Sequence, residues 1–353
     1  MASVSQGLRW AARFRVTAAL CLLGMLSGTG AYLGNLGYVK AVAAQQAARE
    51  PQPVATLSKG LLPGDSANAV AFSSDGKMLA AVYADGTVRL FKLPDAQLVV
   101  KLPTDGVAQY GVAFSPDRHL LAVGSGDGNL HLWNLATDKE EANQSAGSES
   151  VNGVAFSPDG SLLATADTDG NVRLWDPTGV PAPQPLFKGT KAALGVAFSE
   201  DGKLLAAAFA DGKVRLWNRA SRLLVATLVA GTAPVYAVAF SPRGNLLGAA
   251  GGDGAVRLWH LGTFQPDGGP LPADTPRVYG VAFSPDGKLL ASADDNGTLR
   301  LWNTATRQPI GSPLHAASGF AFKVAFNPAG TLLATADGDG TVRLWNPRLL
   351  TPP

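Results

Sequence analysis

Chemistry in this chain would have to come from few residues. Two acidic stretches, DGDG at residues 337–340 and DDNG at residues 294–297, carry oxygens of the kind that bind calcium. A helix-loop calcium site spreads its ligands over about twelve residues and ends on a glutamate, and neither stretch does. The histidines, His119, His131, His260 and His315, fall at unrelated places, with no set of acids spaced to join them as metal ligands. There is no G-x-S-x-G elbow, phosphate loop or dinucleotide fingerprint. Cys21 is the only cysteine, so the rest of the chain has no disulfide and no thiolate site. These residues predict no catalytic centre, no metal and no cofactor. Arg89, Arg173, Arg215, Arg257, Arg300 and Arg343 recur two residues before an aromatic, with His131 in the equivalent place. Their stems are expected to pack beside that ring while the heads reach water or an acid.

What positions all of these is a repeat. Residues 331–346, TLLATADGDGTVRLWN, read as two short strands joined by a tight turn. LLAT is fit for burial, DGDG tolerates positive φ, and TVRLW alternates. One hairpin is marginal in water, and six more copies supply its neighbours. Phe72, Phe114, Phe156, Phe198, Phe240, Phe283 and Phe326 each close a VAF triplet, at spacings of 42, 42, 42, 42, 43 and 43. Phe91, Trp133, Trp175, Trp217, Trp259, Trp302 and Trp345 keep the same step. So do the turn residues Asp85, Asp127, Asp169, Asp211, Asp253, Asn296 and Asp339. A period in the low forties is the mark of four-stranded propeller blades.

The pattern VAFSPDG…DGxVRLWN resembles the WD-repeat β-propeller family in its bacterial form, over most of the chain. The resemblance implies an all-β, seven-bladed β-propeller of four-stranded antiparallel blades over residues 54–347, with a short tail at 348–353. The family's Gly-His pair is missing from all seven units, and the Asp of its Trp-Asp pair survives only at Asp176. The family's relay of hydrogen bonds from His to Ser/Thr to Asp to Trp is therefore incomplete. In the third unit the strands are expected at 153–157, 161–165 and 172–175, with an outer strand near 185–188. The stretch 138–150, DKEEANQSAGSES, is too polar to promise more than a poor or mobile outer strand. The proline-rich loop 177–185 reads as irregular but stiff. After Trp345 too little chain remains for an outer strand, so residues 54–57 are expected to pair with 341–346 and close the ring. Each blade should bury its Phe, Leu and Trp.

Four residues before each VAF phenylalanine the repeat varies most: Asn68, Tyr110, Asn152, Leu194, Tyr236, Tyr279 and Phe322. By resemblance this row rims the top mouth of the central channel, where the family's partners dock. Its aromatics suit a protein or peptide partner, and they equally suit packing between blades.

The chain has 353 residues, 46% hydrophobic and 16% charged, with a net charge of +2. The charged share is below the roughly 25% usual for globular chains. No field and no basic run argues for nucleic acid. Residues 1–15 carry Arg9, Arg13 and Arg15 and no acid, and residues 16–38 carry no charge at all. That stretch is long enough for a transmembrane helix, and residues 39–53 read as a linker. The alternative is a cleaved signal peptide, although Ala41–Ala43 lies far beyond Leu26, where the strongest apolar run ends. An anchor would leave the N-terminus in the cytoplasm and put the propeller outside the cytoplasmic membrane. A cleaved signal would leave the protein secreted. The sequence thus reads as a membrane-tethered, non-enzymatic scaffold for a protein or peptide partner. The competing reading is a small-ligand sensor or enzyme using the central channel. The VAFS and VAFN inner strands offer such a site little beyond Ser and Asn.

Overall fold

A computed structural model describes residues 52–57, 65–147, 149–178, 185–243, 245–316 and 319–349. Residues 16–38, the linker up to residue 51, the middle of the loop 177–185 and the tail beyond 349 lie outside the described residues. Among the described residues no helix is long and apolar enough to cross a membrane.

The first strand is β1 (Ala55–Leu57). Blade 1 holds β2 (Ala67–Phe72), β3 (Met78–Tyr83), β4 (Val88–Lys92) and β5 (Gln97–Leu102). Blade 2 holds β6 (Gln109–Phe114), β7 (Leu120–Ser125), β8 (Asn129–Asn134) and β9 (Lys139–Ser145). Blade 3 holds β10 (Val151–Phe156), β11 (Leu163–Asp167), β12 (Asn171–Trp175) and β13 (Phe187–Lys188). Blade 4 holds β14 (Ala193–Phe198), β15 (Leu204–Phe209), β16 (Lys213–Asn218) and β17 (Leu224–Val229). Blade 5 holds β18 (Val235–Phe240), β19 (Leu246–Gly251), β20 (Ala255–His260) and β21 (Leu271–Pro272). Blade 6 holds β22 (Val278–Phe283), β23 (Leu289–Asp294), β24 (Thr298–Asn303) and β25 (Pro309–His315). Blade 7 holds β26 (Ala321–Phe326), β27 (Leu333–Asp337) and β28 (Val342–Trp345), and takes β1 as its outer strand.

The closure follows the expected pairing. Ala55, Thr56 and Leu57 stand opposite Leu344, Arg343 and Val342, and the Val54 N–H donates to the Leu344 carbonyl at 2.7 Å. Leu57 is buried and joins the cluster shared by blades 1 and 7. Blade 7 thus takes its outer strand from the residues ahead of blade 1.

Each blade repeats one local logic. The hairpin between second and third strands turns on a glycine at positive φ, as at Gly340 (φ 79°). The hairpin after the inner strand is held by a serine hydroxyl in blades 1–4 and 6 and by the Asn327 side chain in blade 7. In blade 3 the Ser157 hydroxyl donates to Asp159 Oδ1 at 2.6 Å and accepts from the Leu162 N–H at 3.0 Å. The core lies between blades. The third-strand aromatics, from Phe91 to Trp345, are all buried, and Trp217 packs against Phe187 at 5.7 Å and Phe209 at 6.5 Å between ring centres.

Three expectations change. The inner-strand phenylalanines are not uniformly buried: Phe240 and Phe283 are, whereas Phe72, Phe114, Phe156, Phe198 and Phe326 are half-buried. In blade 3 the inner and second strands begin two residues off the expected bounds, at Val151 and Leu163. Finally, a regular outer strand does form within this polar stretch, at Lys139–Ser145. β9 pairs with β8 from Asn129↔Ser145 to Asn134↔Lys139. An outer strand needs a ladder on one side only and shows most of its surface to water, so polarity does not weaken it. The His131 imidazole and Glu140 add a contact at 2.6 Å.

Candidate functional site

Seven inner strands ring the axis, and each slips out of register with its neighbour at one residue. The jumps fall across Ala67/Ala69, Gln109/Gly111, Val151/Gly153, Ala193/Gly195, Val235/Ala237, Val278/Gly280 and Ala321/Lys323. The residues left over are Asn68, Tyr110, Asn152, Leu194, Tyr236, Tyr279 and Phe322, the varying row. A bulge frees its extra residue from the ladder and re-aims the side chain. This is why identity can change there while the strand around it stays constant.

Five of the seven positions are used in two ways. Asn68 donates through Nδ2 to the Gln109 carbonyl of blade 2 at 2.8 Å. Asn152 donates to the Ala193 carbonyl of blade 4 at 3.0 Å and to Thr168 Oγ1 at 2.9 Å. Both asparagines clasp the next blade. On blades 5, 6 and 7 the row instead becomes one aromatic patch. Tyr236 and Tyr279 lie 4.9 Å apart between ring centres, and Tyr279 and Phe322 lie 5.5 Å apart. Phe320, just ahead of β26, stacks on Phe322 at 5.6 Å and meets Tyr279 edge-on at 6.1 Å. It is 44% exposed. Burial, then the neighbouring Tyr279, pushes the Tyr236 phenol above its usual value. The exposed Arg277 guanidinium stands at the patch's edge, and the neighbouring Tyr279 raises its value. Leu194 is half-buried, and Tyr110, exposed, stands on blade 2.

Seven stretches match the family described as WD domain, G-beta repeat: residues 52–92, 97–134, 141–176, 183–218, 223–260, 269–303 and 311–346. The chain belongs to the WD-repeat family. No curated protein matches it. WD-repeat propellers commonly serve as protein-interaction scaffolds.

Within this WD-repeat propeller the tryptophan relay survives in pieces. Trp175 donates to Thr165 Oγ1 at 2.9 Å, Trp302 to Ser292 Oγ at 3.1 Å and Trp345 to Thr335 Oγ1 at 3.3 Å. In blade 7 it continues from Thr335 to Asp337 Oδ2, which Arg343 also meets at 2.6 Å. Ala81, Val123, Ala207 and Ala249 hold the hydroxyl's place in the other blades, and the buried Trp133 Nε1 has no partner. Burial raises the carboxyls of Asp167, Asp294 and Asp337, that of Asp337 to about 6.

Four of the six arginines are neutralised at the hairpin tips. Arg89, Arg215, Arg257 and Arg343 pair with Asp85, Asp211, Asp253 and Asp339 at 2.6–3.1 Å. Arg89 also lies over the Tyr83 ring at 4.1 Å, and Arg215 over Phe209 at 4.5 Å. The heads of these four reach an acid as expected, while the rings they cover are Tyr83 and Phe209 rather than the third-strand aromatics. Among the described residues no three His, Cys, Asp or Glu side chains converge.

Two residues of interest escape a reading of the sequence alone. Phe320 precedes its strand and has no aromatic counterpart in other units. Lys323 stands where Ala69, Gly111, Gly153, Gly195, Ala237 and Gly280 stand, three residues before the phenylalanine, and it lines the axial channel. Following that column down the seven units would find it.

Proposed function

We propose that the propeller is a non-enzymatic docking platform and that its partner, a protein or peptide, seats on the aromatic patch of blades 5–7. The observation that carries this reading is the contiguous cluster of Tyr236, Tyr279, Phe322 and Phe320, with Phe320 exposed. Packing alone would hide such rings, and aromatic anchors dominate binding hot spots. Arg277 beside Tyr279 supplies a polar margin. Residues 16–38 would tether the platform to the cytoplasmic membrane with the propeller outside, or a signal peptide would be removed and the propeller released. The uncharged run behind three arginines supports the tether.

The test is site-specific photocrosslinking in intact membranes. With p-benzoylphenylalanine in place of Phe320, one discrete adduct is expected. The same group in place of Val229, exposed on the outer strand β17, is expected to give none. Equal labelling from both positions would remove the support for a docking face at the rim.

A further inference from the structure

Six of the seven residues that face one another across the inner strands are glycine or alanine, because the strands approach closely there. A Cβ on Gly280 would come within 3.1 Å of the Lys323 Cα and the Phe322 carbonyl oxygen. Lys323 is the departure. Its side chain lines a cavity of about 170 Å³ in the channel, beside Asn152 of the varying row. The remaining walls are alanine, glycine and valine, from Ala69 to Val324, and Lys323 is the only ionisable group among them. Among the described residues no acid pairs with it. The Asn152 amide is already committed to Ala193 and Thr168.

We propose that this end of the axial channel is a carboxylate site whose cation is Lys323. An ammonium enclosed by protein without a counter-ion is costly, and a carboxylate ligand removes that cost while making a charge-assisted hydrogen bond. Burial holds the Lys323 ammonium below the usual lysine value, and its partial accessibility is to the channel. The charge count selects the ligand class: one cation matches one monoanion, while a phosphate dianion would leave charge unpaired. The apolar walls suit a stem of one to a few carbons. The cavity has room for more than a single water, which needs roughly 10–15 Å³ on the same measure. The carboxylate is that of a free small acid or of an Asp or Glu side chain entering from the varying row. Phe322, the preceding residue, belongs to the aromatic patch, so a peptide acid would sit beside an apolar anchor. The site itself does not depend on the patch being a docking face.

The experiment compares full-length wild type with Lys323→Ala, which carries the residue already present at Ala69 and Ala237 and so keeps the fold. In one arm sodium acetate is titrated against sodium chloride at matched ionic strength, read by calorimetry. In the other, a phage-displayed random heptapeptide library is panned on both proteins and scored for Asp and Glu. Acetate binding that weakens about tenfold or more in the variant supports a free acid as ligand. Enrichment of Asp or Glu on wild type, lost on the variant, supports the peptide source. If neither arm responds to Lys323, the site is refuted. A Tyr236→Ala/Tyr279→Ala chain should leave the acetate arm unchanged, which separates failure of the docking patch from failure of the channel site.

Discussion

Gly280 and Lys323 occupy equivalent places on adjacent inner strands, and a Cβ on Gly280 would come within 3.1 Å of the Lys323 Cα, closer than side chains ordinarily pack. The pair explains why a lysine is tolerated at only some points of this column. Gly280→Ala should push the strand of blade 6 off that of blade 7 and cost about 1–3 kcal/mol by overpacking. Lys323→Ala, which only removes atoms from the channel, should not lower stability. Urea denaturation of the two variants checks this. An unchanged midpoint for Gly280→Ala would contradict the close approach.

Closure rests on three residue pairs and one buried side chain. Leu57 is 5% exposed and faces Val342. Leu57→Ala should cost about 2–5 kcal/mol, and Thr56→Ala, on the exposed side, well under about 1 kcal/mol. Removing residues 52–57 should lower the melting temperature more than either. A truncated chain that melts with wild type would mean that the ring closes without β1.

The tryptophans differ in what their indole N–H finds. Trp175 donates to Thr165, whereas Trp133, buried, donates to nothing. Tryptophan-to-phenylalanine exchange should therefore cost more at Trp175 than at Trp133, by about 1–2 kcal/mol for the orphaned hydroxyl and lost bond. Equal losses in chemical denaturation would contradict the difference.

Asp337 gives a pH signature. Its burial outweighs the Arg343 guanidinium at 2.6 Å and raises the carboxyl to about 6. A group raised on folding contributes its full stability below the unfolded value, near pH 4, and loses it as pH climbs through the folded value. An amide in its place does not titrate, so stability of wild type relative to Asp337→Asn should fall by about 2 kcal/mol between pH 4 and pH 7. Denaturation midpoints across that range measure it. A difference that stays flat or grows with pH would overturn the assignment.

The blades can be read from sequence because three anchors move together and each marks a local hairpin. The pairing of residues 54–57 with the last third strand can be deduced because a closed ring leaves no exposed edge. The polar outer strand β9 defeats the same reasoning because hydrophobicity predicts burial, and an outer strand needs little. The varying row is visible as seven substitutions in a constant frame, but its division into asparagine clasps and an aromatic patch is not. That division depends on which blades stand side by side around the axis. Lys323 hides for the same reason: along the chain it is a lysine in a strand, and only six small neighbours from other blades make it an exception.

The central claim is that the patch on blades 5–7 holds the partner. It is tested most directly by affinity capture from solubilised membranes with wild type and Tyr236→Ala/Tyr279→Ala, both confirmed folded by near-ultraviolet circular dichroism. The double variant is expected to lose the partner that wild type retains, with affinity down by about a hundredfold for two hot-spot aromatics. Recovery of the same partner at the same affinity by both proteins would contradict the account.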